Sequence, residues 1–200
     1  MSIKVLSSQY VASIGATSQL PPGLAGEIVF AGRSNSGKSS LLNAFCGRKG
    51  LARVGATPGK TRTINIFDLH FRAGENTDEQ VTLVDVPGYG FAKRSKSEIG
   101  AWHDLLTDYF DDRKALRFVV LVVDCRRSCE EEERWFLQKI ERGKLIIAAT
   151  KTDKLKKNEQ RLVQAKMAKE FKIKPGQVFP LSMVPKIIGV DPLRDYLLGY

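Results

Sequence analysis

FAGRSNSGKSSLLNAF, residues Phe30 to Phe45, sets a glycine, a lysine and a set of serines directly ahead of an apolar segment. A chain built only to bury a core has no use for that cluster. Gly32-Arg33-Ser34-Asn35-Ser36-Gly37-Lys38-Ser39 fits GxxxxGK[ST] without a mismatch, after the buried-strand run EIVFAG and before the helix-like GKSSLLNAF. That context is what the motif demands. The two glycines let the backbone curl with its N–H groups inward, where they and the helix N-terminus, as far as Ser40, meet phosphate oxygens. Lys38 reaches the β and γ phosphates, and the Ser39 hydroxyl ligates Mg²⁺.

Outward from this loop, short apolar runs alternate with helix-length amphipathic segments, the signature of an α/β sheet with helices on both faces. TRTINIFDLHF and EQVTLVDV alternate apolar and polar around the turn-rich RAGENTDE, which predicts an antiparallel hairpin. LRFVVLVVD and KLIIAATKTD read as strands covered on both faces, and GQVFPLS as a last short strand. Together with EIVFAG they predict a mixed, mostly parallel sheet of six strands. SCEEEERWFLQKIERG, with acids first and glycine last, KNEQRLVQAKMAKEF and DPLRDYLL are predicted helices.

The phosphate motif leaves ATP and GTP open, and two further boxes decide between them. Asp85-Val86-Pro87-Gly88 ends a strand, so the Asp85 carboxylate can hold Mg²⁺ through water and the Gly88 N–H can face a γ-phosphate. Thr150-Lys151-Thr152-Asp153 follows LIIAA and matches [NT]KxD, with Asp153 placed to accept from N1–H and the exocyclic amine of guanine. Adenine presents an acceptor at N1, and a site built on such a pattern rejects the wrong base by roughly 10⁴ to 10⁵. Lys151 is expected along the base and the loop at Gly32–Asn35, and Leu181-Ser182-Met183 at the base edge through backbone N–H groups. Each tetrapeptide alone is common; in this order and after strands they point to GTP and GDP.

The chain carries 200 residues, 42% hydrophobic, and a formal charge of +10. Such a balance favours polyanionic partners. Gly47 to Phe67 holds Arg48, Lys49, Arg53, Lys60 and Arg62 without an acid; Lys154 to Lys174 holds eight basic residues against Glu159 and Glu170. Cys46, Cys125 and Cys129 fit neither a disulfide framework nor a paired zinc site. Residues 1–24 do not read as a signal peptide, and no run approaches the ~20 apolar residues of a membrane span. The expectation is a cytoplasmic monomer with no membrane contact.

FAGRSNSGKSSLLNAF, TPGKTRTINIF, LVDVPGYGFAK and ATKTDKL together resemble the EngB family, also called YihA or YsxC, within the translation-factor-related class of P-loop GTPases. The likeness runs from about Gly23 to Leu198, with DVPGYGFA and TPGKT as its more selective boxes. It implies a Ras-like GTPase domain over residues 24–200 with an N-terminal extension over 1–23 packed on or flanking it, binding GTP and GDP with Mg²⁺. It further implies association with the large ribosomal subunit, its RNA and proteins, during maturation of that subunit. The family pattern places the first switch on Gly59-Lys60-Thr61-Arg62-Thr63, with Thr61 on Mg²⁺; the residues alone do not choose Thr61 over Thr57 or Thr63. The resemblance makes Lys38, Thr61 and Gly88 the catalytic set. Phe91 stands where the family often has Tyr, and Met183 where Ser or Ala is usual.

Many small GTPases orient water with a glutamine after the DxxG glycine; here that residue is Tyr89. Without an arginine finger, worth roughly 10³ to 10⁵, a Ras-like site turns over at about 10⁻⁴ per second, so slow hydrolysis is expected. Asn35 resembles the asparagine of related GTPases in which a K⁺ ion supplies the missing charge; the alternative is that it hydrogen-bonds its own loop. TPGKTR and PGYGFAKRSKSE are expected to switch with nucleotide state and to present Lys60, Arg62, Lys93, Arg94 and Lys96 to ribosomal RNA. The competing readings are a P-loop small-molecule kinase and a GTPase of membranes or division machinery. His70 and His103 lack metal-ligand spacing, Trp102 and Trp135 read as packing residues, and the run EEEE at 130–133 reads as a solvated helix start.

Overall fold

Two strands carry no polar alternation and are buried at every position: β2 (Glu27–Gly32, EIVFAG) and β6 (Leu145–Thr150, LIIAAT). A strand with both faces covered must read this way. In the computed structural model, which describes residues 3–15, 26–52, 63–74, 77–90, 96–111 and 113–199, they lie inside one sheet. The other strands are β1 (Lys4–Ile14), β3 (Ile64–Ala73), β4 (Thr77–Asp85), β5 (Leu116–Asp124) and β7 (Val178–Pro180). Their order is β1-β3-β4-β2-β5-β6-β7, with β4, β2, β5, β6 and β7 parallel and β1 and β3 antiparallel to their neighbours.

The hairpin is present as β3 and β4, paired from Asn65 opposite Asp85 to Ala73 opposite Thr77. The sheet has seven strands among the described residues, not the expected six. The additional strand is β1, in the segment expected to pack on or flank the domain, and it pairs along β3 from Lys4 opposite Arg72 to Ile14 opposite Ile64. Register shifts at Leu6 and Val11 break its period-two alternation and hide the strand from a reading of hydrophobic pattern.

Helices α1 (Lys38–Phe45) and α5 (Val190–Leu197) cover one face, packing Leu41, Leu42, Phe45 and Leu193 against Phe30 and Val120. The opposite face holds α2 (Lys96–Phe110), α3 (Glu131–Lys139) and α4 (Lys157–Phe171), through Trp102, Leu106, Phe136, Met167 and Phe171. Trp102 is core, as expected, and its indole N–H donates to the Pro87 carbonyl at 2.9 Å. Trp135 packs on Phe136 at 5.0 Å between ring centroids. No helix among the described residues is long and apolar enough to cross a membrane.

At the amino end of β2, Glu27 is buried and receives Arg113 at 2.6 Å and the Tyr109 hydroxyl at 2.7 Å. This charge is neutralised at the end of the sheet away from the loops that follow β2, β4, β6 and β7. Those loops, carrying the phosphate motif, DVPG, TKTD and the LSM box, all emerge at carboxyl ends of parallel strands. Such edges are where open α/β sheets bind ligands.

Candidate active site

Between β2 and α1 the chain makes one tight curl. Gly37 lies at φ 97°, ψ 13° and Asn35 at φ 62°, both left-handed, a region in which glycine and asparagine are the least strained residues. No side chain caps α1 and its first turn holds no acid. The amides of Lys38, Ser39 and Ser40 therefore lack intrahelical acceptors at the positive end of the helix dipole, as an anion site requires. Gly32 is pressed onto β5: a Cβ there would lie 2.6 Å from the Val122 carbonyl oxygen and 2.8 Å from Ser36 Oγ. The Ser36 hydroxyl is buried and lacks a hydrogen-bond partner among the described residues.

The DVPG segment is stitched alongside. Ser34 N–H donates to the Tyr89 carbonyl at 2.8 Å and Tyr89 N–H to the Gly32 carbonyl at 3.3 Å; Ser36 N–H closes the curl on the Arg33 carbonyl at 3.0 Å. Lys38 Nζ pairs with Asp85 Oδ1, with side chains only 12% and 9% exposed. Val86 and Pro87 are buried, and Gly88 is close enough that a Cβ would stand 3.4 Å from the Gly32 carbonyl. The structure thus brings Gly32, Ser36, Gly37, Lys38, Asp85 and Gly88 together. Ser39 and Ser40 follow Lys38 in the first turn of α1, half-buried. Gly59, Lys60, Thr61 and Arg62 lie outside the described residues, as do Lys93, Arg94 and the side chain of Lys96; Thr63 stands half-buried at the foot of β3.

The second box is tied to the first. The buried Thr150 hydroxyl donates to the Ser36 carbonyl at 2.5 Å, with the Val123 carbonyl 3.1 Å away. Lys151 takes the left-handed conformation at φ 61°, and its ammonium sits 3.1 Å from Asp124 at the end of β5. Thr152 holds Leu181 through its amide at 3.1 Å and its hydroxyl at 3.0 Å. Asp153 Oδ1 is 3.2 Å from Ser182 Oγ and Oδ2 is 3.2 Å from Lys154 Nζ. Burial raises the Asp153 carboxyl, but these hydrogen bonds outweigh it and hold it below the usual carboxylate range. The Ser182 amide donates to the Ile188 carbonyl at 3.2 Å, so the hydroxyl, not the amide, is the part of Ser182 that meets the aspartate. Met183 is half-buried beside it.

Residues 27–152, which take in the phosphate-motif curl, the DVPG segment and Thr150–Thr152, match the family model described as 50S ribosome-binding GTPase. The GTP-binding protein EngB of Anaeromyxobacter dehalogenans is 41% identical over 96% of this chain and 90% of that protein. The EngB protein of Clostridium perfringens is 37% identical over 98% of this chain and 96% of its own length. The chain belongs to the EngB family. It binds GTP and GDP and is a GTP hydrolase. A crystal structure of an EngB protein superposes with a TM-score of 0.58 at 24% identity, covering 86% of this chain and 96% of the other. The ribosomal-RNA complex of Era, solved with MgGDPNP and nucleotides 1506–1542 of 16S RNA, superposes with a TM-score of 0.62 at 20% identity over 87% of this chain and 56% of that one. At these identities the two structures speak to the fold alone, a Ras-like P-loop GTPase.

Three features of this EngB-family site escaped sequence reasoning. The side chain of Arg33 leaves the loop for the start of α3, reaching Glu130 at 2.5 Å and Glu132 at 3.2 Å. The EEEE run is therefore not simply a solvated helix start: Glu133 is buried and accepts from the Glu130 amide at 3.0 Å. Asp124 collects both Lys151 and Arg126, and the Arg126 guanidinium foremost holds its carboxyl well below the usual range. Tyr89 is turned into the core against Trp102 and Phe136, at 5.6 and 6.0 Å between centroids. Burial, then the Glu133 carboxylate, pushes its phenol far above its ordinary value. Only the acid run gave any sign in the sequence, since four carboxylates together want cations. Gly32→Ala should push the loop off β5 and lower affinity for a fluorescent GDP analogue at least about tenfold, an overlap that costs roughly 1–3 kcal/mol; titration of the folded variant reads it.

Proposed function

We propose that this chain is a cytoplasmic, nucleotide-gated assembly factor for the large ribosomal subunit, with slow intrinsic GTP hydrolysis. The burial of Tyr89 carries the reading. The side chain that follows Gly88 is packed in the core, so it cannot orient an attacking water, and turnover waits on a group from outside. A site that holds its nucleotide and hydrolyses it slowly serves to mark time. The +10 charge and the description of the matching family as 50S ribosome-binding support an RNA-rich partner.

On this reading the curl from Gly32 to Ser40 receives the phosphates, and Lys38 exchanges Asp85 for β and γ phosphate oxygens. The buried, unpartnered Ser36 hydroxyl and the uncapped α1 fit an anion at this place. Ser39 and the released Asp85 offer hard oxygen donors suited to Mg²⁺, with Thr61 as the third candidate. Among the described residues no cluster of three His, Cys, Asp or Glu could hold a metal, so such an ion would share its shell with phosphates, and when bound it would neutralise their charge. The Gly88 amide faces the γ-phosphate. Asp153, steadied by Ser182, accepts the guanine N1–H and amine, and Lys151 lies along the base. Thr63 directly follows residues 59–62, which the family pattern gives as the first switch. Asn35, exposed on the rim of the loop, favours a K⁺ ion beside the phosphates.

Three measurements test this. Sedimentation with ribosomal subunits should show the chain on the large subunit in a GTP-analogue state and at least several-fold less in GDP; equal absence in both states would sink the proposal. Asp153→Asn should lose GDP affinity by more than about a hundredfold and move preference to xanthosine nucleotides. GTP hydrolysis in KCl should exceed that in NaCl at the same ionic strength, and equal rates remove K⁺ from the scheme.

A further inference from the structure

Away from the nucleotide, α3 and α4 diverge to leave an open groove of about 710 Å³. Its floor includes Leu137 and the buried Phe171. Its walls carry five exposed cations, Arg134, Arg142, Lys166, Lys169 and Lys172. The one acid among the lining residues, Glu170, accepts from the Cys129 amide at 3.1 Å, which closes the end of the groove beneath α3. Arg134 donates to the Cys129 carbonyl at 3.1 Å; Arg142, Lys166, Lys169 and Lys172 form no ion pair among the described residues.

Helix-dipole compensation accounts for a cation or two in the last turn of α4. It does not account for Lys166, which sits farther back, nor for Arg134 and Arg142, which belong to a different wall. Uncompensated like charges facing one another across a concave surface repel, and an anion between them relieves that repulsion.

We infer that this groove is a second polyanion site that grips the phosphodiester backbone of ribosomal RNA, separately from the switch segments near the nucleotide. Lys166 and Lys169 are three residues apart on α4, an advance of about 4.5 Å along its axis, and Lys172 follows at the C-cap in the left-handed conformation. That advance is comparable with the ~3.4 Å per phosphate of one nucleic-acid strand. A membrane is the poorer fit, because interfacial binding needs apolar side chains that project from the surface; here Leu137 and Phe171 form the floor of a trough. The inference rests on the reading of the chain as a large-subunit factor.

The probe is a transcript of large-subunit ribosomal RNA, titrated with the full chain at several salt concentrations. The double variant Lys166→Gln, Lys169→Gln should bind roughly tenfold or more weakly near 0.1 M salt, with a log–log salt slope smaller by about 1.4 to 1.8, two phosphate contacts' worth. Neutralising two exposed lysines elsewhere, Lys4→Gln with Lys114→Gln, should change affinity less than about twofold by the same counting. GDP binding by both variants reports that they fold. A wild-type slope in the groove variant, or an equal loss in the Lys4 and Lys114 variant, overturns the inference; so does lysine-dependent capture by anionic phospholipid vesicles in place of RNA. Sedimentation of the wild type with large subunits separates the two readings. If it sediments and the groove variant does so equally, the groove fails alone; if the wild type binds RNA through the groove but never the subunit, the assembly role fails.

Discussion

Gly32 lies against the carbonyl of Val122 with no space for a methyl group between them. That contact fixes where the phosphate loop can run. Because β2 is held to β5 from Ile28 to Gly32, the chain leaves the sheet at one point and must turn back within five residues to begin α1. The turn is possible because Gly37 and Asn35 accept left-handed backbone, and it ends on a helix whose first amides are uncapped. Positive backbone ends, the Lys38 ammonium and the Asp85 carboxylate then converge without any long loop to position them.

The TKTD loop is bound to the GxxxxGKS curl by the sheet itself. β5 and β6 are parallel neighbours, so Asp124 stands beside Thr150 and the Thr150 hydroxyl reaches the Ser36 carbonyl. A buried hydrogen bond of this kind is worth about 1 kcal/mol net, but leaving the carbonyl unpaired costs about 1–3. The gain in stability is modest, and the positional effect is larger: the two halves of the site keep one separation. The Arg33 pairs with Glu130 and Glu132 act similarly. Their carboxylates are 39% and 26% exposed, so they contribute at most about 1 kcal/mol each, yet they fasten the loop to the start of α3 and so to one wall of the basic groove.

Tyr89 shows how packing can set chemistry. Its backbone is part of the site, donating to Gly32 and accepting from Ser34, while its ring belongs to the aromatic cluster with Trp102 and Phe136. The pair with Trp102 is edge-on, a geometry that contributes about 0.5–1.5 kcal/mol beyond burial, and the tilted contact with Phe136 adds a second hold on the ring. On the proposed reading the same packing that orders the DVPG loop removes its next side chain from the γ-phosphate, and slow turnover follows from core stability.

The sequence by itself determined the family, through its motifs at 32–39, 85–88 and 150–153, together with the hairpin and the buried central strands. Each is written in local spacing: glycines at left-handed positions, unbroken apolar runs, period-two alternation, and α4 over Lys157–Phe171. Tertiary structure alone decided what depends on residues far apart in the chain meeting. The edge strand β1 was hidden because bulges at Leu6 and Val11 cancel its alternation and its partner is some sixty residues away. The acid run at 130–133 hinted at a cation but did not name Arg33 as its partner, and the anchoring of Lys151 by Asp124 and the inward turn of Tyr89 left no pattern to read. A side chain's partner is set by sheet order and helix placement, and those are properties of the assembled layers, not of the residues on either side of it.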